Sequence, residues 1–98
     1  QIDIVQKGLD VYIEETILAN DTKKHKPDPE PLLECLSRLH IDAKDAIYVG
    51  DTYSDYLAAQ NANMDFAYAM WNGILDKRIT HPTIWAHKPE ELLQIIYE

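Results

Sequence analysis

A single cysteine, Cys35, can form neither an internal disulfide nor a cysteine-rich zinc site, and such sparing use suits a reducing cytoplasm. Glycine is scarce too. Gly8, Gly50 and Gly73 stand far apart, so neither a G-x-G-x-x-G fingerprint nor a Walker phosphate loop can be assembled. No apolar run approaches the roughly 18 residues of a spanning helix, and Gln1-Ile2-Asp3-Ile4 has neither the basic nor the apolar region of a signal peptide. Basic residues are in deficit, with 9 Lys and Arg against 17 Asp and Glu, and the formal charge of −8 disfavours nucleic acid and anionic membrane surfaces as partners. The histidines His25, His40, His81 and His87 show no metal-binding spacing and read as surface or loop residues. An initiator Met is also missing; a chain that opens in mid-pattern on Ile2, Ile4 and Val5 is expected to be a processed or truncated product.

What is present is ordinary globular material, 46% hydrophobic and 27% charged, without repeats, low-complexity tracts or a long linker. One unit, residues 1–98, is the simplest organisation. The run Thr16-Ile17-Leu18-Ala19, entering the polar cluster Asn20-Asp21-Thr22, predicts a short strand. Asp28-Pro29 then reads as a helix start, with Asp28 as N-cap, and Leu32, Leu33, Leu36 and Leu39 recur at helical spacing over about 29–39. Ala46-Ile47-Tyr48-Val49 lacks polar alternation, as a central strand buried on both faces does. Thr52-Tyr53-Ser54-Asp55 has the form of a capping box opening a helix that Asn61 or Asn63 could close. Further strands are expected at 66–70 and 83–86. A last helix should start at Pro89 and carry Leu92, Leu93, Ile95 and Ile96. Strands alternating with helices predict an α/β parallel sheet.

In such sheets ligands bind beyond the carboxyl ends of strands, which draws attention to Gly50-Asp51-Thr52-Tyr53-Ser54-Asp55. Asp51 at the strand tip and Asp55 in the next helical turn can converge, and hard carboxylate oxygens so placed suit Mg²⁺. The same residues could instead do no more than cap the helix and complement its dipole. Lys23-Lys24-His25-Lys26 is the only dense basic cluster; Lys26, fixed in an extended conformation by Pro27, could hold a phosphoryl group, or the cluster could be a solvated run. Cys35 falls among the leucines of a helix and reads as packing; Trp71 and Trp85 read as core or interface.

Lys26-Pro27-Asp28-Pro29 followed by Val49-Gly50-Asp51-Thr52-Tyr53-Ser54-Asp55 resembles the third and fourth motifs of the haloacid dehalogenase superfamily, in its phosphoglycolate phosphatase-like and β-phosphoglucomutase-like branch. The resemblance extends to Tyr12-Ile13, to Ala58-Ala59 through Asn63-Met64, and to Pro89-Glu90-Glu91-Leu92-Leu93. It implies a Rossmann-like fold and a Mg²⁺-dependent phosphatase for a small phosphorylated metabolite, working through an aspartyl-phosphate intermediate. Lys26 would neutralise developing charge, Asp51 would bind Mg²⁺ with Asp55 in support, and Gly50 and Thr52 would shape the loop. The first motif, which supplies the nucleophile, and the second have no counterpart, since no two Asp residues lie two positions apart. The resemblance therefore implies the C-terminal half of a core domain, with N-terminal strands and cap missing, and no turnover by this chain alone. It also implies a gap between the strand near residue 17 and that near residue 47, with open edges prone to self-association. A non-catalytic binding module of the same fold, a mutase or dehalogenase of the superfamily, and a response-regulator-like domain are the alternatives.

Overall fold

The computed structural model describes residues 2–8, 11–18, 21–71, 73 and 75–94. Five strands form one sheet in the order β2-β1-β3-β4-β5: β1 is Ile2–Gln6, β2 Val11–Glu15, β3 Ala46–Gly50, β4 Asp65–Ala69 and β5 Ile84–Ala86. Helix α1 spans Glu30–Leu39, α2 Tyr53–Asn61 and α3 Glu91–Gln94. The predicted strand at β3 is buried on both faces for a simple reason of period. Ala46 and Tyr48 join Ile2, Ile4, Phe66 and Tyr68 beneath residues of α1 and α2, whereas Ile47 and Val49 join Val5, Ala67, Ala69, Ile84, Ala86 and Leu92 on the other face.

The sheet departs from an all-parallel one in its N-terminal half. Strands β3, β4 and β5 are parallel, as expected, but β1 pairs antiparallel with both β2 and β3. The predicted strand at 16–19 is displaced: β2 is Val11–Glu15, Thr16–Leu18 lie outside regular structure, and Ala19 and Asn20 lie outside the described residues. The cause is the hairpin. A short connection can only reverse the chain, so β1 dictates which residues of its partner are paired, from Ile2 opposite Glu15 to Gln6 opposite Val11. The alternation Ile2, Ile4 was the available sign of β1. The expected gap between the N-terminal strand and β3 is filled by β1, so the outer strands of the described sheet are β2 and β5.

Helix α1 starts at Glu30 with Pro29 as N-cap, one residue later than predicted, and Asp28 still caps from the position before by accepting from the Glu30 N–H at 2.9 Å. It buries Leu32, Cys35 and Leu36 but leaves Leu33 exposed. Helix α2 has the predicted capping box and ends at Asn61, with Asn63 beyond it at φ 57°. Of the last helix, Leu92 is buried and Ile95 and Ile96 lie outside the described residues. No helix among the described residues is long and apolar enough to cross a membrane.

His40 ends α1 in the left-handed region, at φ 57° and ψ 42°, with its side chain exposed. Glycine takes that conformation without the Cβ clash, at some cost in unfolded-state entropy. His40→Gly is expected to raise stability by about 0.5–1 kcal/mol, read as a higher urea midpoint at unchanged slope.

Candidate phosphate and metal site

The geometry of the site starts from a missing side chain. Gly50, the last residue of β3, has the Asp55 side chain packed against its Cα: a Cβ there would lie 2.6 Å from Asp55 Cβ and 2.8 Å from Oδ2. Without that Cβ, the carboxylate folds back over the strand end. Thr52 and Asp55 complete the box, with the Asp55 N–H donating to Thr52 Oγ1 at 3.1 Å and Asp55 Oδ2 accepting from the N–H groups of Asp51 and Thr52 at 3.2 Å each. The capping reading of these residues is therefore correct as far as it goes.

It is incomplete, because the other oxygen is used differently. Asp55 Oδ1 accepts from Lys26 Nζ at 2.6 Å and from the buried Tyr48 hydroxyl at 2.9 Å. Lys26 comes from the loop before α1, 29 residues away, yet its ammonium arrives at the end of β3. Its loop is held from several sides. Asn61 Nδ2 donates to the Pro27 carbonyl at 2.9 Å, Thr22 Oγ1 to the Lys24 carbonyl at 2.8 Å, and the Lys23 N–H to Glu30 Oε1 at 2.8 Å. The rest of the basic cluster, Lys23, Lys24 and His25, is exposed, so the solvated reading holds for those three.

The Asp55 side chain is only 7% exposed. Burial by itself pushes its carboxyl up, but the Lys26 ammonium, the Tyr48 hydroxyl and Thr52 outweigh that and hold it below the ordinary carboxylate range. Tyr48 moves the opposite way: burial first, then the Asp55 charge, raises its phenol far above its ordinary value, so it remains a donor. Among the described residues no buried side-chain polar atom lacks a partner.

These groups line a polar cleft of about 280 Å³ whose walls include Asp3, Lys26, Tyr48, Gly50, Asp51 and Trp71. All the predicted site residues but Thr52 therefore line one cleft, and Thr52 braces it from the helix cap. Asp3, Tyr48, Asn61 and Trp71 are not among the site residues that the sequence suggests. Tyr48 was hidden in an apolar run, Asn61 read only as a helix terminator, and Asp3 reaches the cleft because the register sets it opposite Val49. Neither Trp71 nor Trp85 is a core residue, at 37% and 48% exposure. Cys35 is buried as packing, and burial ahead of the Glu15 charge pushes its thiol up to about 11, far from a nucleophilic thiolate.

Among the described residues no three His, Cys, Asp or Glu side chains form a group able to hold a metal ion by themselves. The donor set of the cleft is nevertheless hard oxygen, and one or two carboxylates with water in the remaining positions is how Mg²⁺ is usually held. The residues fit that demand with Asp51 as the carboxylate at the cleft; Asp55, with both oxygens already accepting, fits a supporting place.

Residues 1–69 match the family model described as haloacid dehalogenase-like hydrolase. The chain is similar to the pyrophosphatase PpaX of Bacillus velezensis, 36% identical over 90 residues that make up 90% of this chain and 42% of the relative. It is also similar to a phosphoglycolate phosphatase of Psychrobacter arcticus, 52% identical over 40 residues, 41% of this chain and 17% of the relative. Among solved structures, a provisionally assigned phosphoglycolate phosphatase from Lactobacillus plantarum superposes with a TM-score of 0.74 at 36% identity, over 79% of this chain and 37% of that one. The chain thus spans less than half the length of the relatives it matches.

Proposed function

This chain belongs to the haloacid dehalogenase-like hydrolases, and on that footing we propose that it is the C-terminal part of the core of a Mg²⁺-dependent phosphatase acting on a small phosphorylated metabolite. The observation that carries the reading is the convergence of Lys26 and Asp51 on one cleft at the end of β3, brought about by Asp55. A cation beside a carboxylate at a strand tip, in a polar cleft, is what a phosphoryl group with its counter-cation needs. Relatives that act on pyrophosphate or phosphoglycolate support a small phosphate ester or anhydride as the substrate class. A cytoplasmic setting suits the one buried, reduced thiol.

In this reading a carboxylate nucleophile outside this chain attacks phosphorus and displaces the ester or anhydride oxygen, which leaves as an alcohol or a phosphate, and water then hydrolyses the aspartyl-phosphate to inorganic phosphate and the free carboxylate. Mg²⁺, when bound, would neutralise phosphate charge and orient the phosphoryl group. This chain's residues do the rest of the holding. Asp51 supplies the metal carboxylate, Lys26 offers its ammonium to the phosphoryl oxygens, and Asp55 keeps Lys26 and the loop in register. Gly50 admits Asp55 to the strand end, and Thr52 fixes the first turn of α2.

The reading is tested by titrating the chain with Mg²⁺ by calorimetry, with and without inorganic phosphate. Weak binding that strengthens with phosphate and falls about tenfold or more in Asp51→Asn is expected, a loss of roughly 1.4 kcal/mol or more. Indifference to Asp51→Asn would count against the site and favour a binding module that keeps only the fold.

A further inference from the structure

Asp55 has two oxygens and four donors. Oδ2 is taken by two backbone N–H groups, and Oδ1 is divided between Lys26 Nζ at 2.6 Å and the Tyr48 hydroxyl at 2.9 Å. An ionised carboxylate offers about two lone-pair sites per oxygen, so both sites of Oδ1 are in use. The two donors differ in freedom. Tyr48 is 2% exposed and its ring packs edge-on against Phe66, centroids 6.0 Å apart, so its hydroxyl is held in one place at the cleft wall. Lys26, with 43% of its side chain exposed, faces the cleft as well as the carboxylate. Gly50, two residues along the same face of β3, lets the Asp55 side chain pack against the strand end, where Oδ1 meets the Tyr48 hydroxyl.

We propose that Tyr48 is a positioning residue for the phosphoryl site: by occupying half of Asp55 Oδ1 it limits the grip of Asp55 on Lys26, leaving the ammonium able to reach a phosphoryl oxygen. The inference rests on the phosphatase reading of the cleft. A carboxylate oxygen with only one donor concentrates its charge on that donor, and charge-assisted pairs tighten as competitors are withdrawn. Without the Tyr48 hydroxyl, Lys26 is drawn onto Asp55 and away from the ligand. The effect is on the availability of Lys26, since Tyr48 has no direct part in the chemistry.

Tyr48→Phe removes the hydroxyl and keeps the ring, and it orphans no buried polar atom, because Asp55 Oδ1 retains Lys26. Inorganic phosphate is titrated by ³¹P NMR into the chain and into Tyr48→Phe, Lys26→Met and the double variant, with near-ultraviolet dichroism as the check on fold. Tyr48→Phe is expected to weaken phosphate binding about three- to tenfold, the net scale of one typical intramolecular hydrogen bond. On the Lys26→Met background the same change should be silent, within about a factor of two. A general structural role would instead lower affinity equally on both backgrounds and would overturn the inference, as would unchanged binding in Tyr48→Phe alone. If the parent chain itself binds no phosphate, the phosphatase reading of the cleft fails and takes this inference with it; the two failures are therefore distinguishable.

Discussion

On the proposed phosphatase reading, Lys26→Met in the full-length protein is expected to lower phosphate release by about 10²–10³-fold, or roughly 3–4 kcal/mol of transition-state stabilisation, the scale for loss of one preorganised charge stabiliser. Methionine keeps most of the unbranched stem and removes only the cation, so the loss can be assigned to charge. The fold should survive. Asp55 keeps the Tyr48 hydroxyl and two backbone N–H groups, and the pair it loses is discounted by solvent because the Lys26 side chain is 43% exposed. Removing one partner of a fully buried pair costs several kcal/mol, whereas exposed pairs contribute about 0–1, and about 1 kcal/mol is expected here. Steady-state rates with a generic phosphomonoester and a urea melt make the check together. A rate within tenfold of the parent would remove Lys26 from the chemistry, and a collapse in stability would make it structural instead.

The second large effect is structural. Asp55→Ala removes the reciprocal half of the capping box, leaving the Thr52 hydroxyl on the N–H of residue 55, and withdraws the acceptor of the buried Tyr48 hydroxyl, while Lys26 loses the carboxylate it pairs with. Losing the reciprocal half of the box contributes about 0.5–1 kcal/mol and a buried unsatisfied hydroxyl about 1–3, so a destabilisation of about 1.5–4 kcal/mol is expected. The pH dependence gives the same residue a second signature. Because the native carboxyl is held below its ordinary value, its contribution is fully present above the unfolded pKa of about 3.9 and is lost as pH falls through the lower native value. The parent should therefore lose stability on acidification below about pH 4, and Asp55→Ala should show a shallower loss. Some slope will remain, since Arg78 holds the half-buried Asp76 down to about 2. Urea midpoints between pH 2.5 and 7 decide the matter; parallel curves for the two proteins would show that Asp55 carries no such linkage.

The two effects differ in kind because Lys26 and Asp55 divide the work of one ion pair. Asp55 is buried and holds β3, the loop and α2 together, so its removal is felt in stability. Lys26 is half exposed at the cleft, so its removal is felt by the ligand. Both residues were legible beforehand, each in its own motif: Asp55 through Thr-x-x-Asp after an apolar strand, and Lys26 through the basic cluster before Pro27.

The elements legible in the residues alone are those whose signals are local. An apolar run set β3, a capping box set α2, the spacing of Leu32 and Leu36 set α1, and the two motifs together pointed to the family. Pairing lay outside the reach of such signals. That β2 is Val11–Glu15 and not the apolar run after it, and that β1 fills the place beside β3 in the antiparallel sense, follow from register between distant residues. The same register brings Asp3 to the cleft. Tyr48 shows the limit most clearly: its ring made it look like core, which it is, while its hydroxyl meets Asp55 only because Gly50 has no Cβ and α2 turns back over the strand end. Periodicity reports which face a side chain takes, but a hydrogen bond between the tip of one side chain and another depends on where two elements stand in space, and only packing decides that.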